Sequence, residues 1–373
     1  MDLFKEITSL LQENKRAVLA TIVHTQGSIP SFQSSKMLVR EDGSIAGTVG
    51  GGCVEADVWA AAKEIMETET TRKLTFNLNA DPRYDAGLTC GGTLEIYLEP
   101  IGPRTGTEVF REAAALTQAN RQAVIATVIQ APGSSPELSS AKLLVREDGS
   151  FTGTIGELHI DSQIISAAQA VLREEKPRKL ALMLSDGEEV EIALEPVLPQ
   201  PTCYLLGAGH VGQHVARVAA LAGFKVTVAD DRAQFANQER FPEAEKVIAS
   251  DWQKIFETIV PDSSSYLVIV TRGHKEDMTV LRWAVNTEAR YIGLIGSRRK
   301  VLSIYKVLAE EGVQRERLER VHAPIGIEIG ALTPEEIAVS IVGELIAVRR
   351  NAPLPHAMTI GSKLTQETLP AKP

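Results

Sequence analysis

Cysteine is scarce: the chain carries only Cys53, Cys90 and Cys203. Three thiols cannot build a disulfide framework, and they suit a reducing compartment. No apolar run is long enough to span a bilayer. Lys/Arg-rich stripes that would track a phosphate backbone are missing, and the formal charge of -9 is spread over both halves, so nucleic acid is not an expected partner. The opening residues Leu3, Phe4, Ile7, Leu10 and Leu11 set an amphipathic acidic pattern without a basic region ahead of an apolar stretch, so no signal peptide is expected. These absences predict a cytoplasmic protein with free thiols and no membrane partner.

What is present is enough for two ordinary cores: 373 residues, 44% hydrophobic and 23% charged. The sequence also repeats itself. Ala17 to Leu78 aligns without a gap on Ala123 to Leu184 at an offset of 106 residues. Gly27-Ser28-x-Pro30 returns as Gly133-Ser134-x-Pro136, and Val39-Arg40-Glu41-Asp42-Gly43-Ser44 as Val145-Arg146-Glu147-Asp148-Gly149-Ser150. Each copy reads as a helix, a strand, a Gly/Pro turn, a strand closed by Asp-Gly, a third strand, a helix and two further strands.

Two copies are too few for a solenoid, so one fused N-terminal α+β domain over 1–200 is expected, with copies at about 10–100 and 116–196. The segment Glu195-Pro196-Val197-Leu198-Pro199-Gln200-Pro201 is read as the boundary, because prolines remove the donors that a helix or central strand needs. Over 202–350, apolar β-like runs alternate with helical patterns, which predicts a Rossmann-like doubly wound parallel sheet, with 351–373 as a tail or arm. The fold class is thus α/β overall.

Cys203-Tyr204-Leu205-Leu206 reads as a buried strand running into Gly207-Ala208-Gly209-His210-Val211-Gly212 and a helix. The first glycine permits the turn, the second admits a pyrophosphate to the helix N-terminus, and the third lets helix pack on strand. Asp230, eighteen residues after Gly212, stands where an acid would meet a ribose 2′-hydroxyl, which favours NAD over NADP. Further strands over 266–270 and 291–295 bring Arg272, His274, Ser297, Arg298 and Arg299 to the carboxyl edge of the sheet, where ligands gather. His274 reads equally well as a loop histidine without chemistry, and Ser297-Arg298-Arg299 as a solvated helix start.

The duplication shows what one copy has and its twin lacks. Copy one reads Gly50-Gly51-Gly52-Cys53-Val54-Glu55 where copy two reads Gly156-Glu157-Leu158-His159-Ile160-Asp161. Copy one also holds an insert running through Gly87-Leu88-Thr89-Cys90-Gly91-Gly92 where copy two has the short turn Ser185-Asp186-Gly187. The helical spacing of Val54, Val58, Ala61 and Ile65 places the triglycine at a helix N-terminus, whose amides and dipole attract an anion and favour a thiolate. Cys53 is then a soft donor beside an oxyanion cradle, and Cys90 a second one if the loops meet. The plain alternative makes each cysteine a small buried hydrophobe and each glycine a turn former. Without a paired CxxC or matching histidines, structural zinc is not expected.

These motifs, together with Tyr291-Ile292-Gly293-Leu294-Ile295-Gly296-Ser297-Arg298-Arg299, Pro324-Ile325-Gly326 and Thr333-Pro334-Glu335-Glu336-Ile337-Ala338, resemble the XdhC/CoxI family of xanthine dehydrogenase accessory proteins. The resemblance covers most of residues 10–350. It implies a molybdenum cofactor chaperone that binds molybdopterin transiently, helps sulfurate it and hands it to a molybdenum hydroxylase apo-enzyme of the xanthine dehydrogenase type. A cysteine desulfurase as a further partner and a homodimeric state are implied in the same way. The cofactor contacts would then be Gly51, Gly52, Cys53, Glu55, Cys90, Gly91, Gly92, Gly207, Gly209, His210, Gly212, Asp230, His274, Ser297 and Arg298, with Cys53 touching the metal. A soft thiolate suits a soft metal centre, and glycine loops with arginines suit the pterin phosphate. His159 replaces the cysteine in copy two, so no ligand is placed there.

No acid/base set accompanies the thiol, which favours a binding and transfer protein without turnover. The enzyme alternative is an NAD-dependent oxidoreductase using the glycine fingerprint, Asp230 and His274. A third reading is a redox sensor pairing Cys53 with Cys90.

Overall fold

The computed structural model describes residues 3–27, 34–78, 92–102, 108–131 and 138–353. The chain divides into two compact units, Met1–Pro199 and Gln200–Pro373.

In the first unit the repeat becomes two modules of like topology. Copy one runs α1 (Leu3–Gln12), β1 (Ala17–Gly27), β2 (Lys36–Arg40), β3 (Ile45–Gly47), α2 (Gly52–Thr68), β4 (Arg72–Asn77) and β5 (Gly92–Ile101). Copy two runs α3 (Glu108–Gln118), β6 (Ala123–Gln130), β7 (Lys142–Arg146), β8 (Phe151–Thr154), α4 (Leu158–Glu174), β9 (Arg178–Met183) and β10 (Glu189–Val197). Both fold into antiparallel five-stranded sheets, ordered β3-β2-β1-β5-β4 and β8-β7-β6-β10-β9.

Strand alternation sets the two faces of each sheet. Val18, Ala20 and Ile22 pack under α2, as Val124, Ala126 and Val128 pack under α4. The opposite faces meet each other and the helices α1 and α3, through Val23, Tyr97 and Ile129 and through the stacked rings of Phe4 and Phe110, 6.3 Å apart. Ion pairs cross this inner layer in reciprocal sets. Lys36 pairs with Glu195 and Lys142 with Glu99; Lys73 pairs with Glu191 and Lys179 with Glu95. Each lysine is the other's counterpart in the repeat. A cavity of about 30 Å³ lies among Lys36, Lys142, Glu99 and Glu195. That is room for water and an order of magnitude short of a ligand pocket.

The proline-rich boundary segment differs from expectation. β10 continues through Glu195, Pro196 and Val197, with Pro196 opposite Val124 of β6. On its other side the ladder to β9 ends at Leu194 and Arg178, so the missing proline N–H deprives no neighbouring strand of a donor.

The second unit is a parallel sheet of β11 (Thr202–Leu206), β12 (Lys225–Asp230), β13 (Lys246–Ala249), β14 (Ser265–Ile269), β15 (Tyr291–Leu294) and β16 (Val321–His322). Its helices are α5 (His210–Leu221), α6 (Trp252–Thr258), α7 (His274–Ala284), α8 (Arg298–Glu310), α9 (Arg315–Glu319) and α10 (Pro334–Arg349). The strand order β13-β12-β11-β14-β15-β16 is the 3-2-1-4-5-6 order of dinucleotide-binding folds, with the crossing point between β11 and β14. α5 and α10 cover one face and α6, α7 and α8 the other. Both faces are therefore buried, which accounts for the near-continuous apolar strands. Cys203 lies fully inside, and burial pushes its thiol up to about 12.

Candidate cofactor-binding sites

The first site is the turn into α2. Gly50, Gly51 and Gly52 have φ values of 121°, 79° and 65°, a left-handed run that side chains with a Cβ adopt at a cost. Among the described residues nothing lies within 4 Å of a Cβ built on Gly51 or Gly52, so the glycines answer to backbone conformation. Gly51 caps α2 without a side-chain hydrogen bond. A glycine cap forgoes only roughly a few tenths of a kcal/mol, whereas burial of Val58 and Ile65 contributes about 1.5–3 kcal/mol each, so the helix holds its place without a side-chain cap. Cys53, the second residue of α2, is exposed.

Glu55 has a different part from the one the sequence suggested. Its carboxylate accepts from Thr48 Oγ1 and from the Val49 amide at 3.2 Å, while the Gly50 amide donates to Thr48 Oγ1 at 3.1 Å. Copy two repeats the set: Asp161 accepts from Thr154 Oγ1 at 2.6 Å and from the Ile155 amide at 2.9 Å, and Gly156 donates to Thr154 at 2.8 Å. A device present in the copy without the thiol is a loop brace common to both.

In copy two the start of the second helix is held by side chains from the neighbouring turn. Glu157 accepts from the Ser185 amide at 3.0 Å and the Ser185 hydroxyl at 2.7 Å, and His159 lies between Glu157 and the Met183 carbonyl, at 3.3 and 3.1 Å. The β9–β10 turn thus closes onto the start of α4. The corresponding place in copy one is the root of the insert, where the Leu78 amide donates to the Gly92 carbonyl at 2.9 Å. Gly92 itself is buried at the start of β5, opposite Gly27, so it serves the ladder. Cys90 and Gly91 fall outside the described residues.

The second site is the carboxyl edge of the parallel sheet. The three glycines of its first loop have separable roles. A Cβ on Gly207 would stand 2.3 Å from the Val270 carbonyl oxygen and one on Gly212 2.4 Å from that of Gly207, whereas one on Gly209 would meet nothing within 4 Å among the described residues. Packing demands the first and third; the second keeps room above the α5 N-terminus. His210 opens α5 and is exposed.

Asp230 is not the free ribose acceptor expected from its position. Only 1% of the residue is exposed, and its carboxylate accepts from the Ala208 amide at 2.8 Å, the Arg232 amide at 3.0 Å, and Arg232 Nε and Nη2 at 2.8 and 2.9 Å. Burial alone would raise its pKa, but the Arg232 guanidinium and the two amides outweigh burial and hold it below the usual carboxylate range. Asp230 therefore braces the glycine loop through its own arginine, and the residues at this corner do not fit the NAD ribose contact. The signal was in the sequence: Arg232 stands two residues after the acid.

Farther along the edge, Asp231 holds Arg272 at 2.9 Å. Gly273 precedes α7 without a side-chain cap, and His274, its first residue, is exposed. Ser297 caps α8 by accepting from the Lys300 amide at 3.3 Å, and Arg298 and Arg299 are exposed beside it. Sequence reasoning overlooked Lys300, Asp277 and Glu344; the two acids are fully buried beneath this edge. Among the described residues no group of three His, Cys, Asp or Glu side chains could hold a metal ion, and no helix is long and apolar enough to cross a membrane.

A doubled antiparallel module joined to a dinucleotide-type sheet defines a two-part α/β class. The XdhC and CoxI family profile matches residues 10–77 and again 116–184, and that of the XdhC Rossmann domain matches 203–345. The chain belongs to the XdhC and CoxI family. It is 34% identical over 256 residues to the uncharacterized protein YqeB of Escherichia coli, spanning 66% of this chain and 47%, about half, of that relative's length. A Bacillus subtilis protein named as a probable xanthine dehydrogenase subunit is 26% identical over 92% of this chain and 96% of its own. The molybdenum cofactor insertion chaperone PaoD of Escherichia coli is 24% identical over 91% and 85%. A crystal structure described as a xanthine dehydrogenase from Bacillus halodurans shares the fold, with a TM-score of 0.74 at 22% identity, covering 98% of this chain and all of that one.

Proposed function

We propose that the protein is an accessory factor for a molybdenum hydroxylase, binding the molybdenum-bearing pterin as cargo and passing it to the apo-enzyme. The observation that carries this reading is the exposed Cys53 thiol behind a left-handed triglycine turn, in one copy of a duplicated module whose twin has Glu157 and His159 there. A thiolate is a soft ligand for molybdenum, and the first amides of α2, which its glycine cap does not engage through a side chain, suit an oxyanion. The kinship with a molybdenum cofactor insertion chaperone favours the same cargo. Within the second unit, taken by itself, Gly209, His210, His274, Ser297 and Arg298 are the proposed contacts to an anionic group such as the cofactor's phosphate. Sulfuration with a cysteine desulfurase, delivery to a xanthine dehydrogenase-type enzyme, a cytoplasmic location and a homodimeric state complete the proposal.

The test is direct binding of isolated molybdenum cofactor by the full chain, followed by its absorbance and by transfer to an apo-hydroxylase. The wild type should bind and Cys53→Ala should bind more weakly. Binding by neither protein, or equally by both, would refute the thiol's role.

A further inference from the structure

Asp277 lies in the first turns of α7 with its side chain fully buried. A buried ionised carboxylate is costly unless it is paired and hydrogen-bonded. Two partners come from different loops. Thr271, in the turn after β14, donates through Oγ1 to Asp277 Oδ1 at 2.6 Å. Lys300, in the first turn of α8, pairs its ammonium with Oδ2.

Lys300 reaches Asp277 by lying back across the turn that precedes its own helix. A Cβ built on Gly296 would stand 2.9 Å from Lys300 Cδ, and Lys300 Nζ also donates to the Ile295 carbonyl at 3.4 Å. Gly296 has a φ of 157°, in the region that favours glycine, and its missing side chain is what lets the lysine pass. The Lys300 side chain remains 27% exposed, so one face of this strap meets solvent at the carboxyl edge of the sheet.

We infer that Thr271, Asp277 and Lys300 form a clasp that ties the β14–α7 turn to the β15–α8 turn, so that the stretches presenting His274 and Ser297–Arg298 open together. Asp277 and Lys300 are positioning residues: they hold the loops, and the exposed side chains meet the ligand. This deepens the proposed function, since those are the contacts assigned to the cofactor's anionic part, but its test needs no ligand and so stands or falls separately.

Hydrogen–deuterium exchange of the full chain, read by mass spectrometry, tests the coupling. The double variant Lys300→Met/Asp277→Asn removes both charges, so that neither is left buried without its counter-charge. It should raise exchange at residues 271–275 and 295–299 together, by about tenfold, while β11 stays protected. Lys300→Arg, which keeps the cation, should restore protection of both stretches. A rise confined to the α8 start, an unchanged pattern in a folded variant, or no rescue by arginine would overturn the clasp. Should the double variant fail to fold, Thr271→Val removes a single bond, and a smaller joint rise, about threefold, is expected; a rise on one side alone again overturns it.

Discussion

Copy one and copy two of the N-terminal unit share sheet order, helix placement and the acid-braced loop, yet differ at the end of the second helix that faces solvent. Copy one presents Gly51, Gly52 and an exposed Cys53, while copy two holds Glu157, His159 and Ser185 in a hydrogen-bonded cluster. Features common to both copies, such as Glu55 and Asp161 on their threonines, belong to the framework. What is confined to one copy is the better candidate for binding. The contrast gives Glu55 a framework role and singles out the thiol as the feature that copy two lacks.

Disrupting the shared framework should have the largest effect. Lys142→Met strands the nearly buried Glu99 and should cost about 3–5 kcal/mol in chemical denaturation. A loss near zero would mean that the reciprocal ion pairs do not hold the copies together. Removing the feature unique to copy one should come next: Cys53→Ala should weaken cofactor binding by at least about tenfold, the lower range for partners of a metal site, with His159→Ala within about twofold of wild type. Equal losses in both would erase the distinction between the copies.

A smaller effect is expected from the turn itself. Gly51→Ala places a Cβ at a φ of 79° and should cost about 1 kcal/mol of stability, without steric conflict. The smallest effect concerns pH. Burial pushes the Lys36 amine down to about 7, although Glu99 pulls the other way, whereas an unfolded lysine titrates near about 10.4. Between those values the unfolded chain binds more protons, so Lys36 makes stability rise with pH, and the cost of its buried charge is fully present below about 7. Lys36→Met, which also leaves Glu195 without its partner, should lower stability throughout but flatten this rise between pH 7 and 9; an unaltered slope would place its origin elsewhere.

Much of this architecture could be read from residue order. The ungapped repeat and the Asp-Gly turns located the strands of both copies, and the alternation after Cys203 disclosed the parallel sheet. Local pattern was less informative where the decisive partner is distant or shielded. Lys36 and Glu195 are 159 positions apart, and nothing in either neighbourhood marks them as a pair. Asp230 stands at the position of a ribose acceptor; Arg232, two residues on, was the local signal of its occupancy, but its burial is a tertiary fact. Pro196 looked like a strand breaker because the sequence does not show that β9 has already ended beside it.

The reciprocal lysines and glutamates of the first unit also constrain how the two halves can diverge. Replacing Lys36 strands an acid in the other half, and replacing Lys142 does the reverse, so neither half can drift along the inner layer without a matching change in its sibling. The turns at the outer helix ends are not bound by that mutual veto. One gene segment, once doubled, could therefore specialise a single turn while the pair stayed locked back to back.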